Sequence, residues 1–223
     1  IKNSISKGIN RFTWDMRYAD TAPLTNNSRS EKYSGIPILP GDYTVELQKV
    51  HNGEITELVS PVKFTAKTLD NRSLPATNPN ELVERQKEAF EIRRVLIGAD
   101  KYLEEASNQL NLLSNTIINY SDSDLNNLKE INTLEDKIYE IKKTLNGNSS
   151  LQKRATAYVA GLNERLGNLL YSFWYSSSAP TNTQLETIKL IKEEFRKVES
   201  EMLVIDNSIQ KITDELQSKN SPW

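Results

Sequence analysis

Residues 89–120 read AFEIRRVLIGADKYLEEASNQLNLLSNTIINY, and their spacing decides the fold of most of the chain. Ala89, Ile92, Leu96, Ala99, Leu103, Ala106, Leu110, Leu113, Ile117 and Tyr120 recur at alternating steps of three and four. That is the seam of a long heptad helix. A second helix is expected from near Asp122, with Leu128, Ile131, Leu134, Ile138, Ile141 and Leu145 inward and Asn146-Gly147-Asn148 as its stop. A third carries Ala155, Tyr158, Leu162, Leu166, Leu169 and Phe173, and Ser176-Ser177-Ser178-Ala179-Pro180 breaks it. The fourth runs through Ile188, Ile191, Phe195, Val198, Met202, Ile205, Ile209, Ile212 and Leu216.

Helix lengths suggest a shape. The first and fourth helices are about 40 residues, roughly 60 Å, and the middle two nearer 25, roughly 37 Å. Short loops make successive helices antiparallel neighbours. The expectation is an antiparallel four-helix bundle with a two-helix stalk. Leu82 and Ile92 should then face Ile205, Ile212 and Leu216, with Leu110 deep in the bundle and Leu216 in a narrow, partly wet seam.

Toward the N-terminus the period changes to two. Phe12 and Trp14 share a face of Arg11–Asp15, and Tyr43, Val45 and Leu47 share a face after the Pro40-Gly41 turn. Asn52-Gly53 is a strong hairpin signal because both residues tolerate φ > 0. Ile55 and Leu58, then Val62, Phe64 and Ala66, form the return. The polar stretch from Ala19 to Gly35 reads as a long surface loop. Four to six short strands of this kind predict a small antiparallel Ig-like β-sandwich. The reading is therefore α+β in two domains: a sandwich over 1–70, a linker over 71–80 holding Pro75 and Pro79, and the helical bundle over 81–220.

The 223 residues are 37% hydrophobic and 26% charged, with a formal net charge of -2. That balance gives no electrostatic footprint for nucleic acid or anionic lipid. No apolar run nears the roughly 20 residues that span a bilayer, so no membrane insertion is expected. With no Cys and one His, thiolate metal sites and most acid–base constellations drop out. We expect no metal, no cofactor and no catalytic residue. The chain begins at Ile1 without a basic region and apolar stretch, and it reads as part of a longer protein.

Gly8-Ile9-Asn10-Arg11-Phe12-Thr13-Trp14-Asp15-Met16-Arg17-Tyr18, followed by Pro40-Gly41-Asp42-Tyr43-Thr44-Val45, resembles a known arrangement. It looks like the Ig-like module behind the β-propeller of exported bacterial proteins of the sortilin-like, BNR-repeat type, often labelled glycosyl hydrolases. It is more distantly similar to the Ig-like domain of the flagellar hook-capping protein, where Gly follows Trp-Asp. Met16 stands there in this chain, which implies a different turn. Leu162 to Leu170 and the Ser-Ala-Pro-Thr stretch resemble the helical tail of the propeller proteins. The resemblance implies an exported, non-catalytic accessory region that spaces or stabilises an upstream propeller of the same polypeptide. It places the protein in the periplasm, at the outer membrane or outside the cell. It transfers no catalytic residue. The alternative function is a carbohydrate- or protein-docking module at the cell surface.

Among single residues, Trp14 and Asp15 read as a core aromatic at a strand end and a turn-fixing carboxylate. His51 reads as an exposed side chain beside the hairpin tip. Glu193, Glu194, Glu199 and Glu201 lie off the apolar stripe, on a solvated face with Lys189, Lys192, Arg196 and Lys197. The densest aromatic patch holds Tyr171, Phe173, Trp174 and Tyr175. Phe173 continues the heptad stripe and should plug the bundle, which leaves Tyr171, Trp174 and Tyr175 as candidate docking aromatics.

Overall fold

The computed structural model describes residues 6–19, 35–69, 74–120, 124–154 and 156–219. Two strands and five helices follow one another: β1 (Gly41–His51), β2 (Glu54–Ala66), α1 (Pro79–Asn119), α2 (Asn127–Asn146), α3 (Ser149–Lys153), α4 (Leu162–Tyr175) and α5 (Asn182–Ser218). The protein is α+β and mostly helical. No described helix is long and apolar enough to cross a membrane.

The strands pair antiparallel as one long hairpin. Asn52 (φ 51°) and Gly53 (φ 85°) form its tip, both left-handed as the sequence predicts. His51 is exposed beside that tip. Tyr43 faces Phe64, Val45 faces Val62 and Leu47 faces Val59, so one face carries a continuous apolar ladder. The register slips between Val45 and Gln48, where β2 holds extra residues around Ser60-Pro61 and Leu58. Among the described residues the sheet has these two strands and no more. Phe12 and Trp14 do not extend it; the N-terminal segment contributes one isolated bridge, Arg17 to Pro37. Trp14 packs edge-on against Tyr43 and Phe64, both ring centroids at 6.2 Å, and Asp15 accepts from the Arg17 amide. Met16 takes φ 58°. The backbone thus adopts the conformation that favours glycine, where the substitution alone suggested a different turn. The stretch from Ala19 to Gly35 expected as a surface loop lies outside the described residues except at its two ends.

Helix α1 starts as its sequence dictates. Asn78 Oδ1 accepts from the amides of Asn80 and Glu81, and Pro79 occupies the first turn, where no amide is needed. All the heptad positions from Ala89 to Ile117 are buried. α2 turns back along the second half of α1, and Asn146 at its end bonds to Asp100.

The next element overturns the expected bundle. Gly147 (φ 76°) caps α2, but the chain does not reverse there. Residues 147–154, which include α3, and 156–161 leave the axis, and Gly161 returns against Gly147. A Cβ at Gly161 would lie 2.4 Å from the Gly147 nitrogen and 2.6 Å from the Leu145 carbonyl oxygen. α4 therefore resumes the direction of α2 and continues along the first half of α1, as far as Gln86 beside the Phe173 carbonyl. The helix expected to carry Leu162 to Phe173 starts at Leu162, and Ala155, expected on the same stripe, lies outside the described residues. Tyr158, expected on its apolar stripe, sits in the loop with its hydroxyl on Glu164.

One reversal fewer changes the direction of the last helix. α5 runs parallel to α1: Lys192 pairs with Glu88, Tyr102 meets Met202 and Asp206, and Tyr120 meets Lys219. The four long helices are thus a three-helix bundle in cross-section, its middle rod made of α2 and α4 end to end. Their 20 and 14 residues match the 41 of α1 and the 37 of α5. Among the described residues there is no two-helix stalk. Leu216 is 1% exposed, as dry as Leu110 at 0%, and it lies beside the end of α1 rather than near Leu82.

Polar contacts reinforce this order. The Glu194 carboxylate forks with Arg165 between α4 and α5, so it does not belong to a purely solvated face. Burial, then the nearby Asp206 charge, pushes the Tyr102 phenol up to about 12. Every residue of the apolar core cluster lies at or beyond Leu82. A fragment of residues 74–219 should therefore unfold cooperatively and keep the helical circular dichroism of the whole chain. A molten fragment would show that the N-terminal segment is required for the bundle.

Candidate functional site

A half-open cleft of about 760 Å³ lies between the N-terminal segment, α1 and α4. Local chemistry places each wall. Gly35 passes so close to Tyr18 that a Cβ would lie 1.9 Å from the Tyr18 carbonyl oxygen, so only glycine fits. That approach, with Tyr18 N–H donating to the Ile36 carbonyl, sets Ile36 onto the bundle at 6% exposure. α1 supplies Phe90, Arg93, Ile97 and Asp100, at helical spacing along one stripe. α4 supplies Leu166, Leu170 and Phe173 for the floor and Tyr171, Trp174 and Tyr175 for the rim.

The three aromatics expected to dock a ligand therefore meet in one place. Tyr171, Trp174 and Tyr175 are 66%, 51% and 72% exposed, whereas Phe173 is buried and plugs the core as its heptad position predicts. The Tyr171 and Tyr175 rings lie 4.5 Å apart. A hydrogen bond with the Tyr175 hydroxyl, then its charge, holds the Tyr171 phenol above its ordinary range.

Two ends of the cleft differ. At one, the Arg17 guanidinium stacks on Trp174, 3.8 Å from the ring centroid, and Nη1 donates to the Gly35 carbonyl at 3.0 Å. Nearby, Lys87 stands 5.2 Å from the Tyr18 ring and the nine-tenths-buried Arg93 lies 4.7 Å from the Phe90 ring. At the other end Asp100 accepts from Asn146 at 2.9 Å and Asn163 at 2.8 Å, and Asn163 also donates to Asn146. This clasp ties α1 to the junction of α2 and α4, so the rod break and the cleft share one fastening. An apolar floor, an aromatic rim and a few fixed polar groups are the features that ligand sites commonly combine.

Sequence reasoning found the rim and missed the rest. Arg17 lies next to Trp14 and Asp15 in the motif, yet its stacking on a residue 157 positions away has no local signal. Asp100, Asn163 and Phe90 sit on the helices as ordinary surface positions until packing brings them together. No protein-family model, curated protein or solved structure matches this chain.

Proposed function

We propose that the chain is a non-catalytic accessory region of a larger exported polypeptide, packed through its hairpin onto an apolar sheet of a neighbouring domain. The observation that carries this reading is the bare ladder. Val45, Leu47, Val59 and Val62 are 56%, 43%, 51% and 55% exposed, although they continue the stack that Trp14 covers at Tyr43 and Phe64. Aliphatic side chains in such a row mark an interaction face. A second sheet laid on it would complete the Ig-like sandwich that the strand pattern calls for. Four side chains fall well short of the roughly 800 Å² per partner of a stable free complex. So small a face suits a tethered neighbour, where linkage supplies the effective concentration. On the resemblance drawn above, that neighbour is a β-propeller.

The chain has no Cys, which makes the test direct. Val45→Cys and Val62→Cys, labelled with a maleimide, should react at least tenfold more slowly in the natural polypeptide that carries this chain than in the chain alone. Equal rates would sink the proposal. A second reading, docking of a carbohydrate or protein at the cleft, is favoured by the gathering of Tyr171, Trp174 and Tyr175 on one rim.

A further inference from the structure

We propose that the cleft between the N-terminal segment, α1 and α4 receives a short peptide segment of a partner protein, apolar side chains inward and a carboxylate on Arg17. This rests on the docking reading of the cleft and names its ligand class.

Two features select that class. The side chains that make the floor, Phe90, Ile97, Leu166 and Leu170, carry no polar atom, and apolar surface predominates in the cleft. A sugar pressed there would strand hydroxyls without partners, which disfavours it, while Leu or Phe side chains would gain by burial. The rim combines Trp, Tyr and Arg, the residue types that dominate peptide and protein hot spots.

Charge complementarity then gives the ligand its sign. Arg17 is fixed at the rim by the Trp174 ring and the Gly35 carbonyl, and among the described residues no carboxylate pairs with it. Stacking leaves the in-plane N–H groups of a guanidinium available for a forked carboxylate contact. Asp100, at the far end, is already occupied by two amides. Among the described residues, an acidic side chain or C-terminal carboxylate at Arg17 would meet no opposing anion there.

A phage-displayed dodecapeptide pool panned on the whole chain tests this. Enriched peptides should carry Asp, Glu or a free C-terminus beside Leu, Ile, Phe or Trp. For the corresponding synthetic peptide, Arg17→Gln should weaken binding at least tenfold and flatten its salt dependence. Trp174→Ala should weaken it comparably, and Arg94→Gln, on a guanidinium paired with Glu91, should leave it unchanged. Arg17→Lys, which keeps charge but not the flat stack, should fall between wild type and Gln; equal loss in both with unchanged circular dichroism would overturn the assigned contact. Enrichment without a carboxylate, indifference to Arg17→Gln, or no enrichment at all would also overturn it. Binding of an oligogalacturonate in the absence of peptide binding would keep the docking reading and sink this inference. Binding of neither would sink both.

Discussion

Replacing Gly161 with alanine is expected to destabilise the protein by about 3 kcal/mol, the upper part of the range for forcing atoms into packed space. The atoms in the way are backbone, 2.4 Å and 2.6 Å from the new Cβ, and backbone cannot swing aside as a side chain can. Relief would require the loop of residues 147–161 to open, which would move α4 off the axis of α2 and loosen the Asp100 clasp. Chemical denaturation of wild type and variant gives the difference. Gly98, whose Cβ would meet nothing within 4 Å, is the control and should tolerate alanine or gain from it. A loss under about 1 kcal/mol at Gly161 would mean that the junction is slack.

Leu110→Ala and Leu216→Ala should each cost about 2–5 kcal/mol, and by similar amounts. Both side chains are sealed, at 0% and 1% exposure, and both belong to the same apolar cluster. The helical pattern read alone predicts a smaller loss at Leu216, because it places that residue in a narrow stalk. Paired urea titrations decide between the two. A loss at Leu216 less than half of that at Leu110 would argue against three rods along the whole length.

The contrast shows where sequence stops. The heptad stripes name nearly every buried residue correctly, since a helix face is fixed by spacing alone. The hairpin tip is equally legible in Asn52-Gly53, but the ladder only in part, because the slips between Val45 and Gln48 bring Val59 rather than Leu58 onto it. Helix direction is another matter. It depends on how many times the chain reverses, and Asn146-Gly147-Asn148 reads alike whether the chain turns back or loops out and resumes. The meeting of Gly147 with Gly161 decides it, a backbone contact 14 positions apart that no local pattern announces. The cleft has the same character: its aromatics cluster on one helix and were visible, while Arg17 and Asp100 reach it only through tertiary packing.

The parallel course of α1 and α5 has a consequence for how the chain folds. In an antiparallel hairpin, contacts near the turn close short loops and the rest zip up from there. Here no such start exists: Glu88 to Lys192 and Tyr102 to Asp206 each span 104 residues, and Tyr120 to Lys219 spans 99. Every contact along this interface closes a loop of nearly the same large size, so no part of it forms cheaply before the rest. α1 must first be held by α2 and α4, whose contacts are more local, and α5 completes the bundle last. A helical protein is thereby given a contact order closer to that of mixed folds, and its folding should be slow for its helix content.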